Sequence, residues 1–211
     1  MKNRKRQRWT GGELSKKWGW IQIKRERGQK EMKLGNPGIF TLLGFGYSVA
    51  VLGVQQLLPY PELMGAAIYA IIVGAIAEFI GGMWCFARGE TYIGSIVATF
   101  GAWLIGYFLL VTQGIALKVF HPMSGALFCF VLIPPVVMLT APAVKLRLKG
   151  LTFAFIFLIG LLLFLGLANL PISGAVIFQK IGGIFAILSA IVLWDLAWKS
   201  IKQMMDEMTR G

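Results

Sequence analysis

Long apolar runs separated by short polar breaks dominate the chain from residue 38 onward. Each run is long enough for a helix to cross about 30 Å of hydrocarbon, which takes roughly 20 residues. Membrane barrel strands would instead show short segments of alternating hydrophobicity. The pattern therefore predicts an all-α integral membrane protein, a bundle of six transmembrane helices. We expect these helices at residues 38–58, 63–87, 93–117, 122–144, 150–170 and 174–198.

The breaks carry turn and charge signals, such as Pro59-Tyr60-Pro61-Glu62 and Arg88-Gly89-Glu90. The polar stretches at the two ends complete the predicted organisation. It consists of a basic N-terminal arm at 1–35, a transmembrane domain at 36–200 and a C-terminal tail at 201–211.

The distribution of cations predicts the orientation of the bundle. With six spans, both termini and the second and fourth loops share one side of the membrane. That side holds nineteen of the 21 Lys and Arg residues, and the other side holds only Lys118 and Lys180. Because cytoplasmic segments carry the excess of Lys and Arg, we expect both termini in the cytoplasm and the protein in the cell membrane.

Composition agrees with lipid as the main solvent. Hydrophobic residues make up 57% of the chain and charged residues 14%, against about 25% charged residues in soluble domains. The net charge of +12 reflects mainly the arm, where 12 of the cations lie before Asn36. A basic segment beside a span is more typical of binding to anionic lipid head groups than to nucleic acid, so no nucleic-acid partner is expected.

The arm also contains three tryptophans, at Trp9, Trp18 and Trp20. Aromatic rings among cations favour an interfacial segment lying at head-group depth. A solvated tail is the alternative interpretation, and the sequence leaves both open.

Two carboxylates fall inside the predicted spans. Glu78 lies within the second span, where inserting an acid costs roughly 2.5–3.5 kcal/mol at a helix centre. Its functional interpretation is a group that lines a wet cavity and titrates or orders water, and the alternative is a carboxyl that packs against a neighbouring helix. Asp195 lies in the last turn of the sixth span, where we expect an interfacial pair with Lys199. Asn169 is a further polar group, near the end of the fifth span.

The first span opens with Asn36-Pro37-Gly38. Asparagine is a strong N-cap and proline suits the first helical turn. The free N–H groups and the dipole of such a helix N-terminus favour an anion, although an ordinary cap is the simpler explanation.

The sequence contains no pattern of paired catalytic groups. The one histidine, His121, lies in a predicted loop without a nucleophile or ligand set, and Cys85 and Cys129 do not form a metal spacing. We therefore expect no enzyme activity, no metal and no cofactor, and a solute pathway is the leading class.

Two segments resemble one transporter family, the acetate uptake transporters or succinate–acetate permeases. Asn36-Pro37-Gly38 followed by Leu42-Leu43-Gly44-Phe45-Gly46 is similar to the start of their first helix. The stretch from Ala77 through Glu78 to Thr91-Tyr92 resembles their second helix and the turn after it. The resemblance continues through Thr99-Phe100-Gly101 to Asn169 and covers about residues 36–200.

This resemblance implies a channel or proton-coupled carrier for small monocarboxylates such as acetate, with succinate as a further candidate. It also implies a homohexameric ring with one pore in each protomer. The family's apolar constriction falls here on Phe45, Phe100 and Leu158, and the polar pore-lining positions on Glu78, Thr99 and Asn169. Asn36, Pro37 and Gly38 would form the anion vestibule.

Two positions depart from the family pattern. Phe100 stands where the family has tyrosine, and Glu78 where its bacterial members have glutamine. Two other functions remain open: a channel for a small neutral solute such as urea or ammonia, and a membrane scaffold that acts through the basic arm without transporting anything.

Overall fold

The computed structural model of the protein describes residues 35–210, so that the predicted arm lies outside the described residues except for Gly35. Within 35–210 the chain forms six helices, each long and apolar enough to cross a membrane. For the described residues, this confirms the prediction of an all-α fold with six helices that can span a membrane. The helices are α1 (Gly38–Leu57), α2 (Pro61–Ala87), α3 (Thr91–Ala116), α4 (Pro122–Lys145), α5 (Lys149–Ala168) and α6 (Ala175–Arg210).

The last helix is longer than the predicted span, which ended at residue 198. It comprises 36 residues, or about 54 Å at 1.5 Å per residue, whereas the hydrocarbon core measures about 30 Å. Its final turns are polar and exposed, so an estimate based on hydropathy ends the helix too early.

The predicted pair of Asp195 and Lys199 is confirmed, with 2.5 Å between the carboxylate Oδ2 and the ammonium Nζ.

The helices pack side by side in the order α3, α2, α1, α6, α5, α4. A lighter contact between α3 and α4 closes this arrangement into a ring. Two side chains of α3 bridge that contact. The Tyr92 hydroxyl donates to the carbonyl of Leu139 at 2.5 Å, and the Trp103 indole Nε1 donates to the carbonyl of Phe128 at 3.0 Å.

Small residues allow the closest of these helix contacts. Gly53 of α1 and Gly183 of α6 face each other so closely that a Cβ on either would lie 2.9 Å from the other's carbonyl oxygen. Such contacts let helix backbones approach in a bilayer, where packing rather than the hydrophobic effect drives helix association.

The Pro134-Pro135 pair lies inside α4, and the helix continues through it from Pro122 to Lys145. Each proline removes one backbone donor from the helical ladder.

The two cysteines are free and buried, Cys85 in α2 and Cys129 in α4. Large side chains from all six helices meet in one apolar cluster at the centre of the ring.

Candidate functional site

A cavity of about 230 Å³ lies at the end of the bundle where α1, α3 and α5 begin. Its walls are apolar apart from a few polar groups, of which Glu78 is the only ionisable one among the lining residues in the described part of the chain, 35–210. We call this space the glutamate cavity. Gly38 and Thr41 from the first turn of α1 also line it.

Three apolar side chains separate the glutamate cavity from a small central pocket of about 30 Å³. Phe45 of α1, Phe100 of α3 and Leu158 of α5 line both spaces, so they form the wall between them. The rings of Phe45 and Phe100 lie 5.5 Å apart between centroids, and all three side chains are at most 5% exposed. We call this trio the apolar neck. The structure thus brings together the three constriction residues that the family resemblance implied.

A third space of about 370 Å³ lies at the opposite end, where α1, α3 and α5 end. Leu52 and Leu165 line both this space and the central pocket, and so form a second, shorter apolar wall. Side-chain amides distinguish the third space, which we call the amide cavity. They belong to Gln55, Gln56, Asn169 and Gln179.

Close helix contacts place Glu78 at the level of the apolar neck. A Cβ on Gly44, next to Phe45, would collide with the Cβ of Ala77, next to Glu78. A Cβ on Gly101, next to Phe100, would collide with the backbone nitrogen of Phe79 and lie 3.0 Å from the carbonyl carbon of Glu78. The two glycines therefore hold α1 and α3 against the same turn of α2.

The Glu78 side chain is only 4% exposed. Within residues 35–210 it makes no hydrogen bond or ion pair, while it lines the glutamate cavity. A buried carboxyl without a protein partner is costly unless water or a solute supplies one. The cavity beside it is therefore the place where its hydrogen bonds would be made.

The predicted vestibule at 36–38 forms a helix cap. The Asn36 side-chain Oδ1 accepts a hydrogen bond from the backbone N–H of Gly38 at 2.8 Å, while Pro37 is the capping residue by position. Asn36 is exposed, Pro37 is buried, and Gly38 lines the glutamate cavity. The first N–H groups after Gly38 have no partner within the helix, as at any helix N-terminus.

The remaining predicted pathway residues lie at different places. Asn169 lines the amide cavity, with its Nδ2 donating to the carbonyl of Leu165 at 2.8 Å. Thr99 is half-buried on α3 and is not among the residues that line the three spaces in the described part of the chain. Successive side chains of an α-helix are about 100° apart around the helix axis, so Thr99 and Phe100 face different directions.

Several lining residues had not been singled out in the sequence. Phe155 lines the glutamate cavity and lies 6.3 Å from Phe100 between ring centroids. Gln55, Gln56 and Tyr107 line the amide cavity. Two adjacent amides inside a predicted span are a signal of the same kind as Glu78, and they could have been found. Phe155 is one of many aromatics in an apolar run and carries no such signal.

The described residues contain no group of three or more His, Cys, Asp or Glu side chains that could hold a metal ion. Their lining groups in the three spaces are instead apolar groups, hydroxyls, amides and one carboxylate. Such an arrangement suits the passage or binding of a small solute.

Comparison with known proteins places the chain in a family. A model of the GPR1/FUN34/yaaH family matches residues 22–209. Among solved structures, that of the bacterial acetate channel SatP is similar, with a TM-score of 0.72. It shares 18% sequence identity over 82% of this chain and 95% of SatP, a level at which the likeness supports the fold. The comparison with curated proteins gave no match. The predicted resemblance to acetate uptake transporters is thus confirmed: the chain belongs to the GPR1/FUN34/yaaH family.

Proposed function

We propose that this protein transports small monocarboxylates, acetate first among them, across a cell membrane. The route passes from the glutamate cavity through the apolar neck and the central pocket to the amide cavity. The observation that carries the proposal is this succession of two larger cavities joined through an apolar neck inside one protomer. The name of the similar structure, a bacterial acetate channel, supports the choice of substrate.

The apolar neck is the proposed gate. A carboxylate that enters such a constriction loses water and gains no hydrogen bond from Phe45, Phe100 or Leu158, so its passage costs energy. Hydrophobic constrictions in channels gate by dewetting.

Glu78 is the proposed proton-handling or water-ordering group beside the gate. Among the described residues it is the only charged side chain that lines the glutamate cavity, and its sign repels a carboxylate. The substrate therefore passes it either as the neutral acid or while Glu78 itself carries a proton. This arrangement supports coupling to protons, and succinate, with two carboxyls, would be the less favoured substrate.

The N-terminus of α1 is the proposed attractor for the substrate before it reaches Glu78. Gly38 lines the glutamate cavity, and the positive end of the α1 dipole lies there. Asn36 fixes the first turn through its bond to the Gly38 N–H. Pro37, which is buried, holds the start of the helix in place.

Assembly and orientation complete the proposal. Six copies would form a ring with one pathway in each protomer, with both termini in the cytoplasm and the basic arm against anionic lipid head groups. Nineteen of the 21 cations on one side support the orientation. Light scattering of the purified protein at known detergent content measures the copy number, and a mass other than six chains contradicts the ring.

A channel for a neutral solute is the second candidate. The neck is apolar, and none of the described residues that line the amide cavity is charged, which suits urea as well as a protonated acid. Uptake of labelled acetate and of labelled urea into proteoliposomes, with and without a pH gradient, separates the two. Acetate uptake above protein-free vesicles supports our proposal, and urea uptake without acetate uptake contradicts it.

A further inference from the structure

Two neighbouring glutamines at the end of α1 are buried in the wall of the amide cavity. Gln55 is 6% and Gln56 is 8% exposed. They share one hydrogen bond, in which Nε2 of Gln56 donates to Oε1 of Gln55 at 3.2 Å. Among the described residues, Oε1 of Gln56 then has no donor. A buried acceptor without a donor is rare and costly, and so points to a bound molecule that supplies one.

Tyr107 contributes a second polar group to the same cavity. Its side chain is 9% exposed, and its ring stacks on Trp103 with 5.2 Å between centroids. Within residues 35–210 its hydroxyl makes no hydrogen bond. A phenol both donates and accepts, so Tyr107 can serve a bound molecule in either role.

The described residues that line the amide cavity carry no charge that would bind an anion. Tyr107 is the only ionisable residue among them. Within residues 35–210, the charged residues near this end of the bundle are Glu62 in the first turn of α2, Lys118 after α3 and Lys180 in α6, and none of them lines the cavity. All three are exposed on the described surface.

We propose that the amide cavity is a binding site for the protonated, uncharged form of a small carboxylic acid. Oε1 of Gln56 is itself buried in the wall, so the Gln56 amide turns toward the cavity before the acid's O–H donates to it. The acid's carbonyl oxygen accepts from the hydroxyl of Tyr107 or the amide of Gln55. A carboxylate has no donor for Oε1 of Gln56 and would bring two more acceptors to it. The site therefore selects the neutral acid, an inference that rests on the proposed function and names the species that this end of the pathway recognises.

The inference has a direct consequence for binding. Above the acid's own pKa, each pH unit lowers the neutral fraction tenfold, so the apparent Kd for total acetate should rise about tenfold per unit. Acetamide has the same shape, carries an N–H donor and does not titrate in this range. Its Kd should stay constant with pH.

Binding of acetate and of acetamide to the purified full-length protein in lipid nanodiscs tests the inference. Gln56→Leu should weaken acetamide binding about tenfold, because it removes the acceptor while keeping the apolar volume. Gln113→Leu is the matched control, since Gln113 is exposed on α3 and does not line the cavity. Tyr107→Phe, which keeps the stack on Trp103, should weaken binding in the same direction.

Three results would overturn the inference. They are an apparent acetate Kd that is independent of pH, no binding of acetamide at any pH, or acetamide binding that Gln56→Leu leaves at the level of Gln113→Leu. The last result would mean that water alone satisfies Gln56. Acetate uptake by the unaltered protein in proteoliposomes is measured in parallel. If the unaltered protein takes up no acetate, the proposed function is refuted. If it takes up acetate but Gln56→Leu binds acetamide as Gln113→Leu does, only this binding site is refuted.

Discussion

Gly101 offers a test of the geometry that places Glu78 beside the apolar neck. In Gly101→Ala, the new Cβ would collide with the backbone nitrogen of Phe79 and lie 2.8 Å from its Cα. These are backbone atoms, which no rotamer change can move. Ordinary van der Waals contact begins at 3.4 Å, so α2 and α3 must separate by up to about 1 Å.

The free energies can be compared with a second glycine of the same helix. Overpacking of this kind costs about 1–3 kcal/mol. Replacing glycine by alanine in a helix contributes about 1 kcal/mol in the opposite direction. At Gly114 the nearest atom to an added Cβ is 3.5 Å away. Gly114→Ala therefore gains the helix stability of alanine over glycine and causes no collision. The difference in stability between the two variants is then the overpacking term alone, about 1–3 kcal/mol.

Thermal unfolding of both variants in the same detergent, followed by tryptophan fluorescence, measures this difference. We expect Gly101→Ala to unfold at a lower temperature than Gly114→Ala and to transport acetate more slowly, because Glu78 moves away from Phe100. Equal unfolding temperatures would refute the backbone contact between α2 and α3, and with it the placement of Glu78 at the neck.

Four further outcomes follow from the pathway and the packing. Glu78→Gln should remove the part of the pH dependence of acetate uptake by proteoliposomes that exceeds the titration of acetate itself, and an unchanged pH profile would exclude a role of this carboxyl in proton coupling. Phe155→Ala should change the uptake rate, whereas Phe153→Ala, two residues away on the outer face of α5, should not; equal effects would argue against a central pathway. Trp103→Phe should lower stability by about 0.5–1.5 kcal/mol through its lost bond to α4, and unaltered thermal unfolding would contradict that bond. Deleting residues 1–33 should leave uptake in proteoliposomes intact, and loss of uptake would favour a function that depends on the arm.

The helices could be predicted from the sequence because a bilayer leaves the chain few alternatives. Backbone groups in hydrocarbon must bond internally, so an apolar run of about 20 residues is a helix. All six were found, with most ends within two residues. The end of α6 was missed because its last turns leave the apolar region, where hydropathy no longer reports on helix formation.

The candidate site was less accessible to sequence reasoning. Glu78 stood out because a carboxylate inside a span is expensive, and the constriction residues came from family resemblance rather than from their own chemistry. Which face of a helix points to the centre depends on packing partners, as the half-buried Thr99 beside Phe100 illustrates. The sequence shows two adjacent glutamines at Gln55 and Gln56. That Oε1 of Gln56 has no donor follows only from the positions of both side chains in the structure.

The most direct test of the account is the uptake of labelled acetate into proteoliposomes that contain the protein, compared with protein-free vesicles and with a variant that fills the neck. Phe45→Trp adds volume where Phe45, Phe100 and Leu158 already separate the glutamate cavity from a pocket of only about 30 Å³. We predict protein-dependent uptake of acetate that this substitution largely abolishes while the protein remains folded. Uptake no faster than in protein-free vesicles, or equally fast uptake by folded Phe45→Trp, would contradict a pathway through the centre of the six-helix ring.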